Sequence, residues 1–468
     1  MRRLTRVSRW CLALTVVLPA AACSGAGERP AAGGSGASGT GERYPASLQG
    51  ERPGAGRPSA HPRPGDVNGD GYDDFAAVVA GGSLVVVYGS ATGLDPRRHT
   101  VVPWSAPAAG PEQTRLFRLD LDHDGFTDLV SAPQRGEPAV LWGGARGVGD
   151  AQPLTGAPAS PVATGDFDGD GNADLFLPGG AEGPLGTVWF GPVRRGGAPA
   201  RVQEQAGDGR PNSVPYHFLA GDFDGDRATD LAVRYHWSDP ESEGDGEVAL
   251  ADLLYLRGGP QGLRPEEDRE RPVTGLEGQP GDVDGDGVDD LYTASFVAFR
   301  EQLSVGYWLS TRSGPESGEH GGLSTDAPPG LRNETQYGGM GGTALGDVTG
   351  DGRADLVTSA TGANNSDGVV WLVPDLRAAT AGTVRAVTLD SPGLPGSDTP
   401  AAGRGPTRNG ITVVGPLLDT DGDEHLDVVV GAPGFLNAKK QELDAFWVLR
   451  GTGAGMTYQQ HFTTEDLS

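Results

Sequence analysis

The chain has 468 residues, enough for two or three ordinary domains or for one large repeat domain. It contains 77 glycines and 37 prolines, which favours turn-rich β-structure or disorder. The formal net charge is −27, which argues against nucleic acid as a partner.

The first segment has the pattern of an export signal. "MRRLTRVSRWCLALTVVLPAAAC" has a basic head, an apolar run over residues 10–22 and small residues before Cys23. The apolar run is too short to span a bilayer comfortably. "AAAC" resembles the bacterial lipoprotein cleavage box, although that box usually has Leu where this chain has Ala20. We therefore expect a signal peptide at residues 1–22, with export either as a lipoprotein anchored to the cell membrane through Cys23 or as a freely secreted protein.

Residues 23–60 are rich in glycine, proline and serine and have too little apolar content to fold, so we predict a flexible tether. The chain has two cysteines, and Cys11 would be removed with the signal. No intramolecular disulfide then remains, and an exported domain needs another source of stability.

One acidic pattern returns seven times along the rest of the chain. Its copies, here called loops 1 to 7, lie in "GDVNGDGYDDF" (65–75), "LDLDHDGFTDL" (119–129), "GDFDGDGNADL" (165–175), "GDFDGDRATDL" (221–231), "GDVDGDGVDDL" (281–291), "GDVTGDGRADL" (346–356) and "LDTDGDEHLDV" (418–428). The first aspartates of successive copies are 46 to 72 residues apart. A disordered acidic tract has no reason to keep such a period, whereas an array or a propeller does.

Each loop is followed by a series of short apolar runs. After loop 1 come "FAAVVA" and "LVVVYG", then the turn "SATGL" and the more polar run "HTVVPW". Such runs between glycine and aspartate turns are typical of strands, and no stretch shows a helical period over a useful length. Each unit therefore predicts four antiparallel strands, A to D, with the acidic loop as the A–B hairpin.

Seven such units predict an all-β fold, a seven-bladed β-propeller of four-stranded antiparallel blades over residues 61–468. Five strand-C runs carry a tryptophan that we expect to pack between blades: Trp142, Trp189, Trp308, Trp371 and Trp447. All seven units show four runs, which predicts ring closure without a swapped strand. Whether "ERYPASLQ" (42–49) adds an edge strand stays open.

The loop pattern D-x-[DN]-x-D-G-x-x-D has the chemistry of a calcium site. Numbered from the first aspartate, positions 1, 3, 5 and 9 supply carboxylate or amide oxygens and position 7 a backbone carbonyl, and Ca²⁺ binds six to eight such oxygens. Glycine at position 6 permits a positive φ. An EF-hand is the obvious competitor, but it needs flanking helices and Glu at position 12, where loop 1 has Ala77.

Up to seven Ca²⁺ ions are therefore predicted. The predicted ligands are Asp66, Asn68, Asp70, Tyr72 and Asp74; Asp120, Asp122, Asp124, Phe126 and Asp128; Asp166, Asp168, Asp170, Asn172 and Asp174; Asp222, Asp224, Asp226, Ala228 and Asp230; Asp282, Asp284, Asp286, Val288 and Asp290; Asp347, Thr349, Asp351, Arg353 and Asp355; and Asp419, Asp421, Asp423, His425 and Asp427. Loops 2, 3 and 5 are the most regular. Arg227 and Glu424 replace the position-6 glycine, and Thr349 is a weaker ligand at position 3.

"GDVNGDGYDDFAAV" and "LDTDGDEHLDVVVGAPG" resemble the FG-GAP repeats of integrin α-chain propellers and the related VCBS repeats of bacterial secreted proteins. The resemblance covers roughly residues 61–468. It implies a propeller whose acidic hairpins bind Ca²⁺ through positions 1, 3, 5, 7 and 9. It also implies an exported protein with a binding or adhesive function.

The A–B and C–D turns lie on one face of such a disc, so the opposite face, with the B–C and D–A loops, is free to bind. Candidate ligand-face residues are Trp104, Tyr216, His217, Tyr235, His236, Trp237 and Phe435. We expect a monomeric cell-surface module that binds an extracellular protein or glycan. The sequence has no H-E-x-x-H, nucleophile elbow or P-loop, which argues against an enzyme. The alternative is a polysaccharide lyase or hydrolase built from scattered acids.

Overall fold

A computed structural model describes sixteen parts of the chain, all within one compact unit, Tyr44–Ser468. They are residues 47–79, 82–103, 114–180, 183–196, 198–207, 213–237, 253–266, 279–297, 302–315, 318–326, 340–361, 363, 368–391, 393–394, 410–436 and 442–467. No helix in these parts has the length and apolar character needed to cross a membrane. Trp104 lies outside the described residues.

The described residues form seven four-stranded antiparallel sheets, which confirms the predicted seven-bladed propeller. Blade 1 contains β1 (Leu48–Gln49), β2 (Phe75–Val78), β3 (Leu84–Val87) and β4 (His99–Val102). Blade 2 contains β5 (Thr114–Leu119), β6 (Asp128–Pro133), β7 (Ala139–Leu141) and β8 (Gln152–Pro153). Blade 3 contains β9 (Ala163–Gly165), β10 (Asp174–Pro178), β11 (Gly186–Phe190) and β12 (Arg201–Gln205).

Blade 4 contains β13 (Ser213–Gly221), β14 (Asp230–Trp237), β15 (Leu253–Arg257) and β16 (Arg264–Pro265). Blade 5 contains β17 (Gln279–Gly281), β18 (Asp290–Val297), β19 (Gln302–Trp308) and β20 (His320–Asp326). Blade 6 contains β21 (Met340–Gly346), β22 (Asp355–Ala360), β23 (Val369–Val373) and β24 (Arg385–Val387). Blade 7 contains β25 (Thr412–Val413), β26 (Val428–Leu436), β27 (Glu442–Arg450) and β28 (Thr457–Thr463), followed by a 3₁₀ turn, Thr464–Leu467.

The core lies between blades, because each sheet packs against a neighbour on both faces. Strand B of blade 2, β6, is therefore buried at every position instead of alternating between buried and exposed. Trp371 and Trp447 are fully buried in two of these inter-blade clusters, and Trp142 and Trp189 share a third. Trp308 packs against a fourth. The strand-C tryptophans are thus packing residues, as predicted.

Backbone hydrogen bonds between acidic loops join blades 3 and 4, 4 and 5, 6 and 7, and 7 and 1. The N–H of Asp289, at position 8 of loop 5, donates to the carbonyl of Asp222, at position 1 of loop 4 (2.8 Å). The N–H of Asp222 returns a bond to the Asp289 carboxylate (2.8 Å). Asp73 and Asp419 make the same reciprocal pair between blades 1 and 7, with both bonds 2.9 Å long. The ring therefore closes with the same reciprocal contact that joins blades 4 and 5, and no strand among the described residues is swapped between blades.

Blade 1 differs from the prediction of a complete strand set. No strand A precedes loop 1 among the described residues, because Pro62 and Pro64 flank Arg63 and have no N–H to donate to a ladder. A guanidinium nitrogen of Arg118, from β5, instead donates to the carbonyl of Asp74 (3.0 Å). The fourth strand is β1, which pairs with the outer strand β4 and settles the question that "ERYPASLQ" left open.

The predicted tether ends earlier than residue 60. Residues 50–64, here called the strap, cross the face that carries loops 1 and 2. The N–H of Arg57 donates to the Gly69 carbonyl in loop 1 (2.9 Å), and the N–H of Ser59 donates to the Gly125 carbonyl in loop 2 (2.8 Å). Although the strap is poor in apolar residues, backbone hydrogen bonds hold it on the propeller. Composition therefore did not reveal this contact.

Candidate metal centres

The loop backbone takes its sharp turn at positions 4 and 6. Both positions have positive φ in loop 5, at 77° for Gly285 and 84° for Gly287. Arg227 and Glu424 adopt positive φ at position 6 (75° and 70°), and His123 does so at position 4 (59°). The sequence predicted this requirement at position 6 and missed it at position 4.

The aspartate at position 1 organises every loop. Its Oδ1 accepts the N–H of position 5 in all seven loops at 3.0–3.2 Å, as Asp282 does from Asp286. The carboxylate of position 5 in turn accepts the N–H of position 7 at 2.9–3.2 Å, as Asp286 does from Val288. These bonds fix the carboxylates while leaving lone pairs on their oxygens.

The aspartate at position 9 is buried in every loop. Asp128 is an example: one oxygen accepts the N–H of Leu121 (2.9 Å), and the other accepts the N–H of Gly143 after strand C (2.7 Å). Burial raises its pKa to about 8, since the charged carboxylate loses hydration. Burial likewise raises the pKa of Asp174 and Asp230 to about 7, and of Asp290 and Asp427 to about 6. A bound cation would offset this cost of burial.

Carboxylates converge in five loops. In loops 2 to 5, oxygens from positions 1, 3 and 9 lie within 4.8 Å of one another, and in loop 7 those of positions 1, 3 and 5 do so. In four of the five, the inner oxygen of position 3 is buried and has no hydrogen-bond partner: Oδ1 of Asp122, Asp168, Asp284 and Asp421. A buried carboxylate oxygen without a partner is costly, so something positive fits inside these loops.

Loops 1 and 6 do not form such a carboxylate cluster among the described residues, because position 3 is Asn68 or Thr349. In loop 1, the side-chain oxygen of Asn68 accepts a hydrogen bond from the N–H of Asp70 (2.9 Å) and so is not left without a partner. Loop 4 is intermediate, since the Oδ1 of Asp224 accepts the N–H of Asp226 (3.1 Å). The sequence named loops 4, 6 and 7 as the least regular. By geometry, loops 1 and 6 lack the cluster among the described residues, whereas loops 4 and 7 keep it.

Five arginines that sequence reasoning missed bind the outer oxygen of position 3. They pair with Oδ2 in loops 2, 3, 4, 5 and 7: Arg195 with Asp122 (2.5 Å), Arg201 with Asp168 (2.6 Å), Arg257 with Asp224, Arg377 with Asp284 (3.3 Å) and Arg450 with Asp421 (2.9 Å). Arg195 and Arg377 come from the following blade. Because the partners are far apart in sequence, no local pattern indicates them.

The donor set is hard oxygen at all the ligand positions, which suits Ca²⁺ or Mg²⁺ and not a soft transition metal. Several carboxylates crowd one flexible turn, and Ca²⁺ accepts such a set more readily than Mg²⁺, which keeps its waters and needs octahedral geometry. The loops of these blades therefore fit a calcium ion.

Two models of known repeat families match segments of the chain that contain acidic loops. An FG-GAP-like repeat matches residues 120–177, from loop 2 into strand B of blade 3, and an FG-GAP repeat matches residues 341–373 of blade 6. These two segments of the chain are FG-GAP repeats. The two matched segments contain loops 2, 3 and 6. Loops 2 and 3 have converging carboxylates, whereas loop 6 forms no such cluster among the described residues.

No curated protein matches the chain. Among solved structures, the chain is similar to an Agrocybe aegerita lectin described as recognising non-reducing terminal N-acetylglucosamine. The identity is 16%, the TM-score is 0.45, and the match covers 84% of this chain and 90% of the lectin. It is also similar to the V. cholerae biofilm matrix protein Bap1, at 12% identity and a TM-score of 0.19, over 88% of this chain and 76% of Bap1.

The described ligand-face residues lie at the ends of strands away from the acidic loops. In blade 4, Gly221 pairs with Asp230 at the loop end, and Ser213 pairs with Trp237 at the opposite end. Tyr216 and His217, with ring centroids 6.4 Å apart, stand at a bulge near that opposite end.

The sequence had placed these residues in loops, whereas the structure places them in paired strands. Residues 235–237 belong to β14 and Phe435 to β26. Tyr235 is 3% exposed and packs in the core between blades 3 and 4, so it is a packing residue.

An open cleft of about 440 Å³ lies on the loop face of blade 1. The strap, loop 1 and the C–D turn form its walls, with Asp70, Tyr72, Ser90 and Asp95 among the lining residues. Asp95 is paired with Arg97 (3.0 Å), and the Asp70 carboxylate accepts the N–H of Tyr72 (3.2 Å). The polar lining of the cleft suits a hydrated, polar ligand.

Proposed function

We propose that this protein is an exported, calcium-stabilised β-propeller that acts as a cell-surface binding module for a protein or glycan. One observation carries the calcium part of the proposal. Buried oxygens of Asp122, Asp168, Asp284 and Asp421 have no partner and lie where carboxylates converge. A domain without an available disulfide would gain a staple at each such loop.

Metal analysis tests this part directly. The protein is dialysed to equilibrium against buffer with about 1 mM Ca²⁺ and about 1 mM Mg²⁺, and the excess of each ion on the protein side gives the number bound per chain. We expect between four and seven Ca²⁺ ions, with loops 2, 3, 5 and 7 filled. Fewer than one Ca²⁺ per chain would overturn the proposal.

The ligand is proposed to bind on the face opposite the acidic loops. Supporting this, Tyr216 and His217 are partly exposed at the strand ends of that face. A glycan and protein screen of the calcium-loaded chain would identify the ligand, and His217→Ala and Trp237→Ala should then reduce capture while leaving melting nearly unchanged. Thr92→Trp, in the cleft on the loop face, is the matched control. Loss of capture only in this control would move the site to the cleft.

Export with a lipid anchor at Cys23 completes the proposal. It rests on the basic head, the apolar run and the small residues before Cys23. Cys23→Ala should release the protein from the membrane fraction into the medium. An unchanged membrane fraction would contradict lipidation and leave plain secretion or another anchor.

A further inference from the structure

The arginines follow the chemistry of position 3 loop by loop. Each of the five loops with Asp at position 3 has an arginine on its Oδ2. In the two loops with Asn68 or Thr349 there, no arginine of the described residues forms an ion pair with the acids at positions 1, 5 and 9. The extra carboxylate and the arginine therefore occur together.

Counted over the side chains at positions 1, 3, 5 and 9 together with the paired arginine, every loop has the same formal charge. Loops 2, 3, 4, 5 and 7 have four aspartates at positions 1, 3, 5 and 9 and one arginine, whereas loops 1 and 6 have three aspartates and none. Both arrangements carry −3 when ionised. A bound Ca²⁺ would leave −1 at each of the seven loops.

The arginines reach this oxygen from different places in the blade. Arg257 and Arg450 end strand C, Arg201 begins strand D, and Arg195 and Arg377 belong to C–D turns of the next blade. All five end at the outer oxygen of the same position and leave the inner oxygen of Asp122, Asp168, Asp284 and Asp421 unbonded. If one arginine had been copied along with the repeat, it would occupy the same position in every blade. These arginines occupy three different positions and still bind the same oxygen, which a shared electrostatic requirement explains.

We propose that these arginines are calcium-tuning residues, which hold the affinity of four-aspartate loops at the level of three-aspartate loops so that all seven fill over one narrow range of free calcium. The inference rests on the proposed calcium binding. A guanidinium about 6 Å from a divalent ion weakens its binding roughly tenfold in water-like surroundings, and a neutral ligand in place of a carboxylate also weakens it. The two differences between loop types therefore offset each other.

The test measures calcium bound per chain against free calcium, by equilibrium dialysis of the full chain near physiological ionic strength. Arg450→Gln makes the loop 7 charge, counted over positions 1, 3, 5 and 9 and the paired arginine, more negative, from −3 to −4. Asn68→Asp makes the same change in loop 1, which has no paired arginine to offset it. In each variant we expect one ion per chain to bind at three- to tenfold lower free calcium than in the parent. Because the two variants differ in blade and chemistry, a folding defect in one leaves the other informative.

Two controls separate charge from geometry. Arg450→Lys keeps the charge and should leave the isotherm within about twofold of the parent. Arg450→Gln combined with Asp421→Asn rebuilds the loop 1 arrangement in loop 7 and should return the isotherm to that of the parent. Unchanged or weaker binding in both Arg450→Gln and Asn68→Asp would overturn the tuning role, as would a shift in Arg450→Lys equal to that in Arg450→Gln. If the parent itself binds no calcium, the proposed function fails instead.

Discussion

At the scale of single residues, the loop backbone explains which substitutions the repeat tolerates. Arg227 and Glu424 hold positive φ at position 6 (75° and 70°), where five other loops have glycine. The left-handed conformation costs a residue with a Cβ about 1 kcal/mol. Both side chains are exposed at the turn, so neither compensates by packing. These two loops therefore carry a strain that a glycine would remove.

We expect Arg227→Gly and Glu424→Gly each to stabilise the calcium-loaded protein by up to about 1 kcal/mol. The measurement is the midpoint of denaturant unfolding. Gly287→Ala, at the same position of loop 5, is the reverse control and should destabilise by a similar amount. Equal midpoints in all three variants would mean that the turn relaxes to accept a side chain.

The unbonded oxygen at position 3 gives a second prediction at this scale. Asp284→Ala removes a carboxylate from a converged loop, whereas Thr349→Ala alters a loop without a cluster among the described residues. In calcium we expect Asp284→Ala to lower the melting temperature more, since it removes a predicted metal ligand. The difference in melting temperature between the two variants should shrink in chelator, because without the metal Asp284 no longer acts as a ligand. A larger loss in Thr349→Ala would contradict the ligand assignment.

The seven-fold spacing predicted a shared loop geometry, and all seven loops repeat the same bonds from position 1; the ligand role of these residues stays a prediction. It did not predict the arginines. Arg195 and Asp122 are 73 residues apart, and the pair exists only because blade 3 packs against blade 2. The positive φ at position 4 was also missed. Six loops have glycine there, but loop 2 has His123, so the pattern did not show that this position needs a positive φ.

At the scale of strands and segments, the strap is the feature that most affects the boundary of the domain. Arg63 forms ion pairs with Asp73 of blade 1 (2.9 Å) and Asp419 of blade 7 (3.4 Å), and its carbonyl accepts the hydroxyl of Thr127 in blade 2 (2.8 Å). One strap residue thus contacts three blades at the seam where the ring closes.

We expect Arg63→Gln to lower the melting temperature by a few degrees, because it removes the charge that neutralises two aspartates at the seam. Arg97→Gln is the matched control: the Arg97 side chain is 74% exposed, and its one ion-pair partner within the described ranges is the nearby Asp95. It should leave melting within about one degree. If the two variants melt together, the strap contributes nothing to ring closure.

Strands were predictable from short apolar runs between turn residues, and their pairing order followed from the repeat. The exception is blade 1. Pro62 and Pro64 already indicated that strand A would be missing, but the run after loop 1 looked normal. The strap was missed because hydrogen bonds to loops 1 and 2, and not apolar burial, hold it in place. The edge strand β1 was left open, because its pairing with β4 depends on two exposed residues.

At the scale of the whole molecule, one stabilising device is repeated around the ring. The loops hold 26 aspartates at positions 1, 3, 5 and 9, and backbone hydrogen bonds between loops also join four pairs of neighbouring blades. With about 1 mM calcium and a Kd of about 0.1 mM, each filled site adds about 1.4 kcal/mol. Seven sites would add at most about 10 kcal/mol, comparable to the net stability of a domain. Metal loss should therefore loosen several seams at once.

The melting temperature of the full chain in 1 mM Ca²⁺, in chelator and in chelator followed by excess Mg²⁺ tests this account most directly. We expect chelation to lower the melting temperature by 10 °C or more, as an order-of-magnitude estimate from a loss of about 5–10 kcal/mol, and Mg²⁺ to restore little of it. A chelated protein that melts at the same temperature as the calcium-loaded one would contradict it, and the unbonded oxygens of Asp122, Asp168, Asp284 and Asp421 would need another explanation.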